Sequence, residues 1–128
     1  MMATHRRTWQ RAEGRAAALF AARRQVGSGS GGREDQTCSD SLHPRLFLEV
    51  KLKARHTVVT LWDATKKLAT REKKTPVVVL SEKNRPGQWL VIHTDHLDAV
   101  IAERLAAMTG EELDAIQQQV WKAREDRP

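Results

Sequence analysis

The sequence predicts a mixed α/β fold, a sheet flanked by helices, and three observations carry that reading. Residues 46–53, LFLEVKLK, alternate strictly between apolar and polar. Residues 76–80, PVVVL, form a continuous apolar run, and residues 88–93, QWLVIH, form another. Between and around these lie long stretches in which apolar residues recur at helical spacing. The chain has 128 residues, 40% of them hydrophobic, enough for one modest core.

Residues 5–24 are rich in Ala and Arg, and Trp9, Ala12, Ala16, Leu19 and Phe20 recur at helical spacing. Gly14 is a weak point within that helix. The stretch GSGSGG at 27–32 ends the helix and any short strand that follows the helix. Residues 38–42 suit a short strand, turned by His43-Pro44 onto the alternating strand 46–53. On that strand Leu46, Leu48, Val50 and Leu52 share one face, and Phe47, Glu49, Lys51 and Lys53 the other. Residues 57–73 read as a helix with Val58, Leu61, Trp62, Thr65, Leu68 and Ala69 on one stripe. The run 76–80 then reads as a buried strand, Asn84-Arg85-Pro86-Gly87 as a turn, and 88–93 as its partner. Residues 94–108 form an amphipathic helix. Thr109-Gly110-Glu111-Glu112 is a capping box opening a last helix to about residue 124. The expected order is α-β-β-β-α-β-β-α-α. Residues 1–108 make the main body, and 109–128 an acidic C-terminal helix of the same single domain.

Charge is uneven along the chain. Lys and Arg number 22, Asp and Glu 16, for a net +6. Residues 1–24 hold six Arg and one acid, residues 25–94 twelve bases and seven acids, and residues 95–128 four bases and eight acids. A basic body with an acidic tail suits a polyanion partner, most simply nucleic acid; a solvated basic surface gives the same balance. No apolar run approaches the ~20 residues of a spanning helix, so no membrane role is expected. Arg6 and Arg7 are not followed by the apolar stretch of a secretory signal. The single cysteine, Cys38, excludes an intrachain disulfide framework and a Cys-rich zinc module, and fits a reducing cytoplasm.

Several patterns are set aside. Gly27-x-Gly29-x-x-Gly32 follows a helix rather than a strand, so it is not a dinucleotide fingerprint. His93-x-x-His96 has no third ligand nearby and reads as a satisfied or surface pair. Trp62 and Trp89 sit at core-compatible positions, and Cys38 lacks a partner base.

Three acids stand out. Glu49 and Lys51, two apart on a strand, project together toward a cleft or solvent. An ordinary exposed strand face with an ion pair has the same form. Asp40 lies nine residues before Glu49, and a hairpin at Pro44 can bring the two together. Carboxylates that close repel unless a divalent cation sits between them, and hard oxygen ligands suit Mg²⁺ or Mn²⁺. Glu13 falls on the apolar stripe of the first helix, where an acid is out of place unless it snorkels or pairs with an Arg.

Glu13 on an opening helix, a Gly-Ser stretch, Asp40 and then Glu49-x-Lys51 resembles the PD-(D/E)XK nuclease superfamily. The likeness is greatest to Holliday junction resolvases of the archaeal type and their phage-borne relatives. It covers roughly residues 5–95. It implies a restriction-endonuclease-like αβββαβ core with a mixed central sheet and C-terminal helices. It also implies a Mg²⁺-dependent endonuclease (Mn²⁺ as the alternative) cutting branched DNA such as a four-way junction, in DNA recombination and repair. Asp40, Glu49 and the Val50 carbonyl would bind the metal, and Glu13 a second metal or a metal-bound water. Lys51 would orient the attacking water or steady the phosphate. Ser28 or Ser30 would hold a scissile-strand phosphate. The usual Pro before the Asp is Ser39 here, and Asp35 is the other candidate ligand; Asp40 is better placed, next to the hairpin. Arg23, Arg24, Arg33, Lys53, Arg55, Lys66 and Lys67 are candidates for DNA-backbone contacts. Two symmetric cuts imply a homodimer. The setting would be the cytoplasm of a bacterial, archaeal or phage-infected cell. A nuclease of the VRR type or another phage structure-selective nuclease shares this chemistry. A non-catalytic DNA-binding or assembly protein could share the fold.

Overall fold

The computed structural model describes residues 2–24 and 43–127, with side chains from residue 6 onward. Two compact units divide the chain, Met1–Ala54 and Arg55–Pro128. The elements are helices with a small antiparallel sheet, a mixed α/β content. Among the described residues no helix is long and apolar enough to cross a membrane.

In the first unit, helix α1 spans Met2–Ala18, shorter at its C-terminus than the expected residue 24. The reason is a local turn. Ala21 adopts φ 53°, its N–H donates to the Ala18 carbonyl at 3.1 Å, and the Ala22 N–H donates to the Ala17 carbonyl at 2.9 Å. These two bonds are a Schellman closure with alanine where glycine is usual. The helix buries a narrow face. Ala17 is fully buried, Glu13 is 2% exposed, and Trp9, Ala12, Ala16 and Phe20 are half-buried. Leu19, expected on this stripe, is instead exposed: its N–H still makes the helical bond to the Arg15 carbonyl, and at about 100° per residue that register points it away from the buried line through Glu13 and Ala17.

Residues 43–54 follow without helix or assigned strand. Their burial nevertheless alternates as the sequence predicts: Leu48, Val50 and Leu52 are half-buried, and Phe47, Glu49, Lys51 and Lys53 exposed. Leu46 departs from this and is exposed. Leu48 and Val50 each make a further interaction. The expected strand 38–42 lies outside the described residues.

In the second unit, α2 spans Thr57–Arg71. It too ends in a Schellman closure without glycine. Lys73 has φ 57°, its N–H donates to Thr70, and the Lys74 N–H donates to Ala69. Strands β1 (Val78–Leu80) and β2 (Trp89–Val91) pair antiparallel, with Val78 opposite Val91, Val79 opposite Leu90 and Leu80 opposite Trp89. The connecting turn uses left-handed Asn84 and Gly87, the turn chemistry expected at 84–87. The apolar run 76–80 is buried on one side only. Pro76 and Val78 are buried, but Val79 is 49% exposed. A strand in a two-stranded sheet has one face without a covering layer, so continuous apolarity here does not mean burial on both faces. Likewise only Trp62 of the α2 stripe is buried, while Val58, Leu61 and Leu68 are exposed.

A short 3₁₀ turn at Thr94–His96 leads into α3 (Leu97–Ala106), splitting the single helix expected over 94–108. Helix α4 spans Gly110–Glu125. Its capping box forms as expected: the Thr109 hydroxyl accepts from the Glu112 N–H at 3.2 Å, and the Glu112 carboxylate accepts from the Thr109 N–H at 3.0 Å.

Candidate functional site

The candidate site lies in the first unit, on α1 and the segment after His43. Helix α1 carries Glu13 on its most buried line, with Ala17 one turn on and Trp9 one turn back. The Arg24 guanidinium reaches the Glu13 Oε1 at 3.5 Å, the long limit for a hydrogen bond. Glu13 Oε2 is buried and has no hydrogen-bond partner among the described residues. A buried carboxylate oxygen left unpaired is costly, because it forfeits its hydration and gains nothing in exchange. A side chain kept in that state is a candidate for contact with something beyond the described residues.

The segment that brings Glu49 and Lys51 is fixed at its start. His43 Nδ1 accepts from the backbone N–H groups of Arg45 and Leu46, both at 3.0 Å. The same imidazole stands edge-on to Phe20, with ring centroids 6.1 Å apart. This histidine cap ties the segment to the end of α1. Nothing in the spacing of the sequence marks it, because histidine is an uncommon cap beside Ser, Thr, Asp and Asn.

Glu49 and Lys51 meet as the alternation predicts, with Lys51 Nζ 2.8 Å from Glu49 Oε1. Both are exposed, so the shared face opens to solvent. At such exposure the pair adds at most ~1 kcal/mol to stability. The Val50 side chain between them is half-buried.

The remaining predicted residues are scattered. Asp40, Asp35, Ser28, Ser30 and Arg33 lie outside the described residues. Arg24, expected to face DNA, turns inward to Glu13. Arg23 and Lys53 are exposed in the first unit. Arg55, Lys66 and Lys67 are exposed in the second unit, where Lys66 Nζ sits 5.6 Å over the Trp62 ring. Among the described residues no three His, Cys, Asp or Glu side chains gather as a metal group. Two carboxylates nevertheless offer oxygens a divalent ion could use, the orphaned Oε2 of Glu13 and the exposed Glu49.

The pair His93 and His96 does not form the metal site that its spacing could suggest. His93 Nδ1 is occupied, accepting from the Asp95 N–H at 3.0 Å as the cap of the 3₁₀ turn. Its ring stacks on Trp62 at 5.3 Å. Trp62 therefore serves as a buried anchor for the 3₁₀ turn, a role the helical stripe alone does not reveal.

No family model, curated protein or solved structure matches this chain.

Proposed function

We propose that the chain is a metal-dependent DNA endonuclease of the PD-(D/E)XK type, acting on branched DNA as a junction resolvase. The observation that carries this reading is the Glu13 carboxylate, 2% exposed with one oxygen unpartnered among the described residues, in the same unit as the Glu49–Lys51 pair. On this reading the finer architecture is the restriction-endonuclease-like core, with residues 38–42 and 46–53 as neighbouring strands. Glu13, Glu49, the Val50 carbonyl and Asp40 would hold Mg²⁺ or Mn²⁺. Bound there, a divalent ion supplies a hydroxide-like nucleophile and neutralises phosphate charge. Arg24 holds the Glu13 side chain in one orientation. Lys51 presents an ammonium beside Glu49, where it can stabilise charge developing on the phosphate. Two symmetric cuts call for two copies of the chain.

A non-catalytic DNA-binding protein is the second reading. It is favoured by the exposure of Glu49 and Lys51, which is the ordinary form of a surface ion pair.

The test is cleavage of end-labelled four-way junction, duplex and single strand, with Mg²⁺ or with EDTA, beside Lys51→Ala. Paired symmetric nicks in the junction alone, lost with EDTA and in the variant, are the expected result. Cleavage of every substrate would keep the nuclease and remove the resolvase, leaving a VRR-type or other structure-selective nuclease. Tight, salt-sensitive binding without cleavage would establish the second reading.

A further inference from the structure

The hairpin of the second unit holds an exposed tryptophan with a cation laid on it. Trp89 opens β2 opposite Leu80, beside the loop 81–88, and is 42% exposed. The loop is braced across its ends, the Gln88 amide Nε2 donating to the Ser81 hydroxyl at 3.2 Å. Within it the Arg85 guanidinium donates to the Glu82 carboxylate at 3.2 Å and lies over the Trp89 ring, its Cζ 4.9 Å from the ring centroid. An indole held in this way is a flat π-surface set in place before any ligand arrives, so little side-chain freedom is lost on binding.

Charge in this unit is segregated. Residues 66–89 hold seven bases and two acids, net +5, whereas residues 95–128 hold four bases and eight acids, net −4. Both acids of the basic segment are paired, Glu72 with Lys74 and Glu82 with Arg85. Lys67, Arg71, Lys73 and Lys83 are exposed and make no ion pair among the described residues. A polyanion is drawn to the first segment and repelled by the second. An exposed indole among such bases suits what an unpaired strand presents and a closed duplex hides, the π-face of a base. Trp121 supplies the contrast. It is 51% exposed, with the Arg124 guanidinium 5.3 Å from its ring, but it stands in the acidic segment.

We propose that the β1–β2 hairpin binds an unpaired polynucleotide strand, a base stacking on the exposed part of the Trp89 indole while Lys73 and Lys83 take phosphates. Backbone binding by a basic surface needs neither Trp89 nor an unpaired strand. The site lies in the unit that lacks Glu13, Glu49 and Lys51, so it does not depend on the nuclease reading and stands or falls separately from it.

Fluorescence anisotropy of labelled oligo-dT, about 15 nucleotides long, tests it on the full chain, with EDTA present so that cleavage plays no part. The strand should bind more tightly than a blunt duplex of the same length. Trp89→Leu, which stays apolar and removes the π-face, should weaken binding by on the order of 10-fold, Trp89→Phe should weaken it less, and Trp121→Leu should leave it unchanged. Strands carrying 2-aminopurine should lose emission on binding the wild-type chain, as the base stacks, and keep it with Trp89→Leu. Oligo-rU should bind within a few-fold of oligo-dT, because neither contact reads the sugar. Wild-type affinity in Trp89→Leu overturns the proposal. So does a duplex bound as tightly as the strand, which leaves charge alone at work, or a strong preference between oligo-rU and oligo-dT. Equal losses in the Leu and Phe variants, with circular dichroism unchanged, would assign Trp89 to packing and overturn it too. If Trp89→Leu does not fold, undiminished 2-aminopurine emission with the wild-type chain overturns it.

Discussion

The two units bury opposite kinds of chemistry. In Met1–Ala54 the buried face of α1 centres on a carboxylate, Glu13, with one oxygen unpaired. Among the described residues of Arg55–Pro128 the buried side chains are Trp62, Pro76 and Val78, with His93 stacked on the indole; the indole Nε1 is also without a hydrogen-bond partner there, but it is neutral. Burial of apolar surface stabilises a fold, and burial of a half-satisfied charge does not. At Glu13 the first unit therefore gives up stability, whereas at Trp62, Pro76 and Val78 the second gains it from apolar burial. That asymmetry marks the first unit as the one whose buried face carries candidate chemistry.

The sharpest way to break this comparison is to truncate each centre. Trp62→Ala should destabilise the second unit by about 3–5 kcal/mol, measured by denaturant titration, because the indole fills space between α2 and the 3₁₀ turn. A loss below ~1 kcal/mol would show that this unit has no such anchor.

Glu13→Gln should do the reverse. Thermal stability should hold or rise, since the charge is removed from a buried site. Junction cleavage should fall by at least about a hundredfold if the carboxylate serves a metal. A fall in melting temperature with full cleavage would make Glu13 a structural residue and erase the contrast.

A smaller effect sharpens a likeness between the units. Helices α1 and α2 end in the same closure, with Ala21 and Lys73 at the left-handed position. Ala21→Gly and Lys73→Gly should each stabilise by about 1 kcal/mol, the strain relieved slightly exceeding the added freedom of the unfolded chain. Destabilisation by either variant would show that its turn is held in some other form.

The smallest effect belongs to α4. The Thr109 N–H, and then its hydroxyl, hold the Glu112 carboxyl below its ordinary range. A carboxyl lowered on folding contributes stability above its unfolded pKa and loses it as pH falls through the folded one. Acid titration should therefore fray α4 at its first turn, read by amide exchange at residue 112, and Glu112→Gln, which keeps the acceptor and removes the titrating group, should remove that pH dependence. Persistence of the dependence in the variant would place its source elsewhere.

Much of this was legible in the sequence, and the failures have physical causes. The capping box was readable because it is a four-residue code with both partners local. Glu13 was readable because an acid on an apolar stripe violates the helical pattern. The alternating burial of residues 47–53 followed from period two. The ends of α1 and α2 were not readable, because the closures use Ala21 and Lys73 and lack the expected glycine. The exposure of Val58, Leu61, Leu68 and Val79 was not readable either, because apolarity states what a side chain favours and not whether a second layer exists to cover it. Nor could spacing show His43 accepting two backbone N–H groups, since that depends on the imidazole's orientation.

Trp9 is the sole tryptophan among residues 1–54, and it stands one helical turn before Glu13 on the same face. Its indole is an antenna placed beside the carboxylate. A luminescent lanthanide taken up there would be excited through this ring, so ion uptake becomes visible as light. That signal needs no cleavage and would persist in a Lys51 variant, which makes loading and turnover separately observable.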